Sequence, residues 1–379
     1  MLTQFNIDNI KILQSQGYEV DVACCWQDDD SALSPEALKI ARKKLDDLGV
    51  RVIETASLRK IFNIGELAKA YKQLKAEVET NKYQIVHTQS PIGGVICRLA
   101  CRKARKAYGT KVIYEAHGFH FYQGAPIKNW AIFYNVEKYC SKFTDMLITI
   151  NKEDYEAAKK FYAKDAEYVP GAGVDTHKFV ASAGGRERVR QELGIDDDTA
   201  VLLSVGELIP RKNHMEVFLA IKAMIDEGLE YKIKYLIAGR GKIQAQLEEE
   251  IKRLGIGDYV TMLGFRTDVA DVFAASDIYV FPSHQEGLPV ALMEAMSVGL
   301  PAVCSNIRGN TDLIEEGKGG YLFDSHDPES LVRALKKALD DEPETRKLMG
   351  LYNVRTMEGF DKDTVNQVMH DLYKKVVTL

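Results

Sequence analysis

What the sequence lacks bounds it first. No run of eighteen apolar residues occurs in its 379, so no segment reads as a membrane-spanning helix. The six cysteines (24, 25, 97, 101, 140 and 304) include no Cys-x-x-Cys pair and no zinc-ligand spacing. With no secretory signal to read, they are expected to be reduced, mostly buried thiols of a cytoplasmic protein. There is no short repeat and no low-complexity tract, and the composition is that of an ordinary globular protein. Gly239 and Gly241 in "LIAGRGK" fall short of a full Gly-x-Gly-x-x-Gly, which sets a nicotinamide-cofactor reading aside. A formal net charge of -5 and the want of any recognition motif weigh against nucleic acid.

What is present is a repeated alternation. Strand-like runs "YEVDVAC", "VRVIE", "YQIVHTQ", "KVIYEAH", "DMLITI" and "AEYVP" occupy the front of the chain, with helical segments between most of them. A second series follows: "AVLLSVGE", "KIKYLIAG", "YVTMLG", "DIYVFPS", "PAVCSN" and "GGYLF". Alternating β and α twice over predicts two doubly wound, parallel-sheet α/β domains facing a cleft. The expected boundaries are 1–175 for the front domain, joined by a C-terminal helix over 360–379, a Gly-rich linker over 176–198, and 199–359 for the rear domain. Charge divides unevenly, with 25 Lys+Arg against 22 Asp+Glu in residues 1–175 and 25 against 33 in the rest. A doubly wound domain should open on a strand, yet this chain opens on the amphipathic "TQFNIDNIKILQSQG". The first strand and a glycine-bearing loop are therefore expected upstream of Met1, in roughly 10–20 further residues.

Several charged residues fall where such sheets bind ligands, at the carboxyl ends of strands beside helix N-termini. In "HQEGLPVALMEAMSVGLP" (284–301), Glu286 is in a loop and Glu294 about a turn and a half into a helix. Glu294 is the single charge between Gly287 and Ile307. A carboxylate on apolar walls suits paired sugar hydroxyls. "SVGELIPRKNH" (204–214) follows a buried strand with Gly206, then Arg211 and Lys212 ahead of a helix, an arrangement suited to a diphosphate. Arg266 in "LGFRTDV" faces either a nucleotide base or solvent. In "VIYEAHGFHF", His117 ends a strand and can hydrogen-bond a substrate hydroxyl. A basic stripe, Arg98 to Lys111, with no acid between Glu79 and Glu115, is followed by Phe119, Phe121, Tyr122, Trp130, Phe133 and Tyr134. A solvated helix face is the default reading, and with these aromatics the stripe also suits an anionic membrane surface. "QDDDS" (27–31) reads as the approach to a helix rather than as a metal site.

These motifs together resemble glycosyltransferase family 4, retaining enzymes with the GT-B fold of two facing Rossmann-like domains. "HQEGLPVALMEAM" is similar to the family's E-x7-E signature, "SVGELIPRKNH" to its diphosphate segment, "AHGFHF" to its front-domain histidine and "YVPGAGVDTHKF" to its interdomain connection. The texture of "KVIYEAHGFHFYQGAP" resembles members of capsular and exopolysaccharide assembly. The resemblance implies that Glu294 holds the donor ribose. Glu286, with the backbone of Gly287 and Leu288, would hold the transferred sugar. Arg211 and Lys212 would bind the diphosphate without a metal or other cofactor, and His117 would contact the sugar near its reacting carbon. It further implies a UDP- or GDP-linked donor, a saccharide or polyprenyl-diphosphate-linked acceptor, and work at the inner face of the plasma membrane. Where the family often carries Arg after the Gly of this segment, the chain has Glu207. The rival readings are a nucleotide-sugar epimerase and a non-catalytic nucleotide-sugar-binding protein. A glycosidase is a poorer fit, since eight helical residues would hold Glu286 and Glu294 about 12 Å apart.

Overall fold

The computed structural model describes residues 6–26, 35–57 and 63–379. Two units divide the chain, residues 1–172 with 363–379, and residues 173–362. "QDDDS" lies outside the described residues.

The front unit carries β1 (Asp21–Cys24), β2 (Arg51–Glu54), β3 (Ile85–Thr88), β4 (Lys111–Ala116), β5 (Met146–Thr149) and β6 (Asp165–Tyr168). All pairings are parallel, in two sheets: β1 with β2, and β3-β4-β5-β6 in that order. Among the described residues no strand pairs with both β1 and β3. β5 is buried along its whole length, as a strand covered on both faces must be. The helix Lys362–Thr378 returns to this unit and packs Val365, Met369, Tyr373 and Val376 against Ile113, Met146 and Ile148.

The rear unit is a six-stranded parallel sheet of β7 (Ala200–Val205), β8 (Ile233–Ala238), β9 (Val260–Gly264), β10 (Ile278–Phe281), β11 (Ala302–Ser305) and β12 (Gly320–Phe323). Its order is β12-β11-β10-β7-β8-β9. Counted within the unit this is 6-5-4-1-2-3, the Rossmann order. Leu202, Tyr235 and Ile237 of the sheet, with Phe218, Ile221 and Leu335 of its helices, are among the buried residues of the core.

Residues 176–198, expected as linker, are folded into this unit. They carry the helix Gly185–Glu192, whose arginines are drawn to the segment 268–277. Arg188 reaches Asp271 at 2.6 Å, Arg186 reaches Asp277 at 2.9 Å, and buried Arg190 donates to the carbonyl of Ala275. Ser182 closes the segment through its N–H and hydroxyl on Asp271. Glycine-rich composition suggested a tether, but the arginines each find a partner across the fold.

The basic stripe is also divided by the structure. Arg98 is fully buried, 2.7 Å from Glu137 and 3.9 Å above the ring of Tyr114. Arg105 makes a bidentate pair with Asp145, both bonds 2.8 Å. These two cations hold the helix Pro91–Ala100 and its continuation Arg102–Tyr108 to the rest of the unit, so they are not a solvated face.

Candidate functional site

The sheet order places a crevice between β7 and β10, where successive strands depart in opposite directions. Ligands of open α/β sheets bind at the carboxyl ends of the strands at that switch point. The loop after β7 begins at Gly206 and ends in a single 3-10 turn, Pro210–Lys212. Asn213, at φ +54°, then turns the chain into the helix His214–Asp226. The left-handed conformation is one that Asn tolerates better than most residues.

The loop after β10 is tied to it. The His284 N–H donates to the Arg211 carbonyl (2.9 Å), and Arg211 Nη1 donates to the Gln285 carbonyl (2.6 Å). Glu286 then receives both cations, with Arg211 Nη1 2.9 Å from Oε2 and Lys212 Nζ 2.8 Å from Oε1. Lys212 also lies over the Phe281 ring, at 4.6 Å. The carboxylate is 8 % exposed and Arg211 is 43 % exposed, so one cation is shielded with it and the other faces water. A third cation supports the loop from β11: buried Arg308 donates Nε to the Glu286 carbonyl (3.1 Å). Gly309 stands at φ +80°, and a Cβ there would lie 2.5 Å from the Gly287 carbonyl oxygen. Only glycine lets these two loops close on each other. Leu288 is buried under the same turn.

Glu294 sits on the helix Val290–Ser297, whose Leu292, Met293, Ala295 and Met296 are buried. The helix ends in a Schellman motif, with Gly299 N–H to Met296 O and Leu300 N–H to Ala295 O. The Glu294 carboxyl is half-buried and makes no hydrogen bond to the described residues. Burial pushes it up to about 7, with the charge of Lys178 the opposing influence. A carboxylate in that condition gains from any ligand that brings it hydroxyl donors.

The glycines of "LIAGRGK" have a packing task. A Cβ on Gly239 would stand 1.8 Å from the Gly206 carbonyl oxygen, and one on Gly241 2.1 Å from that of Leu208. Backbone therefore lies directly on backbone beneath the β7 loop. Arg266, read as facing either a nucleotide base or solvent, is committed elsewhere. Its guanidinium spans Glu192 (2.6 and 3.1 Å) and Asp268 (both 2.8 Å), and this clasps the 185–192 helix to the β9 loop.

In the front unit, His117 follows β4 and its Nε2 lies 3.2 Å from Glu115 Oε1. Glu115 is fully enclosed. Its other oxygen accepts from Gln89 Nε2 (2.7 Å) and lies 3.2 Å from His87 Nε2. His87 Nδ1 meets the hydroxyl of Tyr373 at 2.8 Å. Burial alone would raise the Glu115 carboxyl, but its contacts with His117 and His87 hold it well below the usual carboxylate range.

Comparison with known proteins gives the family. Residues 185–354 match the family described as "Glycosyl transferases group 1", and residues 3–151 match "Glycosyl transferase 4-like". EpsD of Bacillus subtilis (strain 168), whose name assigns it to the glycosyltransferases, is 35% identical over 80% of this chain and 79% of its own length. The chain is a family 4 glycosyltransferase. An Escherichia coli relative named UDP-Gal:alpha-D-GlcNAc-diphosphoundecaprenol alpha-1,3-galactosyltransferase is 33% identical over 74% of this chain and 72% of its own length. The Anabaena protein Alr3699/HepE, solved with UDP and glucose, superposes with a TM-score of 0.75 at 19% identity, covering 99% of this chain and 97% of its own. That likeness shows the fold, which is GT-B.

Within this glycosyltransferase, the structure brings Gly206, Arg211, Lys212, Glu286, Gly287 and Leu288 together on two neighbouring loops, although about 75 residues separate them in sequence. Glu294 is on the helix that follows, and Arg266 is withdrawn into its own ion-pair cluster. Sequence reasoning missed Arg308 and Lys178 in the rear unit. It also missed the pairing of Glu115 with Gln89 and His87 in the front, and of His87 with Tyr373. Arg308 carried a signal, since it stands just past a buried strand and directly ahead of a glycine. Tyr373 carried none, because nothing local marks the partner of a buried hydroxyl. Among the described residues, no group of three or more His, Cys, Asp or Glu could hold a metal ion.

Proposed function

We propose that this glycosyltransferase moves a hexosyl or N-acetylhexosaminyl group from a UDP- or GDP-linked donor to a saccharide or polyprenyl-diphosphate-linked acceptor. The transfer retains anomeric configuration and serves cell-surface polysaccharide assembly at the inner face of the plasma membrane. The observation that carries the donor assignment is the meeting of Arg211, Lys212 and Glu286 at the switch point of the rear sheet. The names of the E. coli relative and of the HepE complexes, which speak of UDP, a UDP-sugar and a diphosphoundecaprenol acceptor, support the substrate classes.

In this reading Glu294 accepts hydrogen bonds from the vicinal ribose hydroxyls, and Glu286 from hydroxyls of the transferred sugar. As the anomeric C–O bond breaks, negative charge develops on the leaving diphosphate. Arg211, Lys212 and the N-terminal end of the helix His214–Asp226 stabilise it without a metal ion. The acceptor oxygen forms the new bond to the same carbon, and its proton passes to an oxygen of the departing diphosphate. His117 contacts the sugar near the reacting carbon and hydrogen-bonds a hydroxyl. The test is incubation with a panel of nucleotide sugars, with and without acceptor, following nucleoside diphosphate release. Release that depends on acceptor supports transfer. Epimerisation without acceptor, or binding without turnover, refutes it.

A further inference from the structure

Between residues 80 and 144 the chain has two acids, Glu115 and Glu137. Both are buried, the first against His87, His117 and Gln89, the second against Arg98. That whole stretch therefore shows water no carboxylate. It does show apolar side chains. The helical segment made of Ile127–Asn129, a π-turn Trp130–Tyr134 and Asn135–Cys140 leaves Ile127 87%, Ile132 57%, Tyr139 49% and Val136 38% exposed.

The π-turn explains how they share a side. At about 100° per residue, Ile127 and Val136 would point about 180° apart in a regular α-helix. A turn closed i to i+5 advances less per residue and brings Val136 round toward Ile127. The opposite side is held inward by Phe133, Tyr134, Glu137 and Cys140, with Tyr134 edge-on to Phe121 at 5.3 Å. In the same segment Lys128 and Lys142 are exposed and Lys138 is half-buried, none of them ion-paired among the described residues. Lys138 and Lys142 instead lie over the ring of Tyr162, at 5.6 and 5.0 Å. No helix of the described residues is long and apolar enough to cross a membrane.

We infer that the exposed side of residues 127–142 lies in the interface of an anionic membrane, with Ile127, Ile132, Val136 and Tyr139 inserted and the three lysines at the headgroups. Apolar side chains flanked by lysine and aromatic rings, in a stretch that itself shows water no carboxylate, match the chemistry of that interface. A second copy of the chain would bring the same lysines face to face, so self-association through this side is opposed by charge. The basic stripe Arg98–Lys111 is depleted for that task, because Arg98 and Arg105 are spent on Glu137 and Asp145 and Lys103 lies 3.6 Å from Glu79. The inference deepens the membrane-side reading above and names the surface that performs it.

The test is flotation of the full chain with vesicles of phosphatidylcholine alone or with phosphatidylglycerol added. The wild type should float with the anionic vesicles, and added salt should release it. Ile127→Ser with Ile132→Ser should weaken binding about tenfold or more, and Lys128→Gln with Lys142→Gln should remove the preference for anionic lipid. Leu348→Ser with Leu351→Ser, also exposed but on the rear-unit helix Pro343–Glu358, should change nothing. Equal partitioning to both vesicles, full binding by the Ile127/Ile132 variant, or a concentration-dependent dimer abolished by that variant would each overturn the inference. Nucleoside diphosphate release from the same preparations is a separate readout, so failure of attachment and failure of the donor assignment are told apart.

Discussion

Replacing Glu294 by Gln should make the protein more stable and a worse donor binder at once. The carboxyl is pushed from the ordinary 4.5 to about 7 by burial on an apolar helix. Its ionisation is therefore harder in the folded than in the unfolded chain, and each tenfold of that difference is about 1.4 kcal/mol. The cost is absent below about pH 4.5, grows as pH rises and is complete above about pH 7. Linkage then gives Glu294→Gln an advantage of about 3 kcal/mol near pH 8 and under about 1 kcal/mol near pH 5. Water at the exposed part of the carboxyl trims the larger figure toward about 2 kcal/mol. Urea unfolding followed by circular dichroism at both pH values measures it. Titration with the nucleotide sugar should show the reverse sign, because the neutral amide offers weaker acceptors to the ribose hydroxyls. The same linkage makes wild-type donor affinity rise from about pH 6 to pH 8 and leaves that of the variant flat. A variant no more stable than wild type at pH 8, or equally stabilised at both pH values, would refute the burial argument.

Three further perturbations probe the same fold. Glu286→Gln should lower kcat at least tenfold while leaving the affinity for nucleoside diphosphate unchanged or tighter, since Arg211 and Lys212 lose the carboxylate that engages them. Isothermal titration and initial rates separate the two effects, and a pure KM change would count against the assignment. Arg211→Gln with Lys212→Gln should weaken nucleoside diphosphate binding by about 2–4 kcal/mol, on the scale of charge-assisted hydrogen bonds, and chelator should leave wild-type turnover intact. Turnover abolished by chelator and restored by magnesium or manganese would sink that prediction. Arg98→Leu should cost about 3–5 kcal/mol of stability by leaving Glu137 buried without its cation, seen as a lowered urea midpoint. A midpoint within about 0.5 kcal/mol of wild type would show that Arg98 behaves as a surface residue.

Much of the architecture was legible for one reason. In covered parallel sheets a strand is a short apolar run between turn residues, and burial of such a run is a local property of the chain. Each of the twelve strand-like runs became a strand. Pro289 and Gly299 bracketed the helix of Glu294, because fixed φ and positive φ are also local demands. The order β12-β11-β10-β7-β8-β9 was not written in any one segment. It depends on which crossovers pack, and it is what singles out the β7 and β10 loops among six strand ends.

Charged residues were where local reading failed, and the failures share a cause. Arg211 and Arg266 look alike in sequence, each a few residues past a strand and a glycine. What separates them is the carboxylate that the fold delivers. Arg211 meets one carboxylate, Glu286, on a loop at the switch point, and remains 43 % exposed. Arg266 meets two, Glu192 and Asp268, and is closed between them at 18 %. The same distinction divides Arg98, fixed by Glu137 thirty-nine residues on, from Lys128 and Lys142, which no carboxylate reaches among the described residues. A cation's role is thus set by the partners left to it after folding. A guanidinium held by two protein carboxylates would have to give up both pairs before it could grip a phosphate, whereas one with a single, half-exposed pair gives up far less. On the donor assignment proposed above, Arg211 is the arginine of this pair able to exchange a carboxylate for a diphosphate, while Arg266 clasps Glu192 to Asp268.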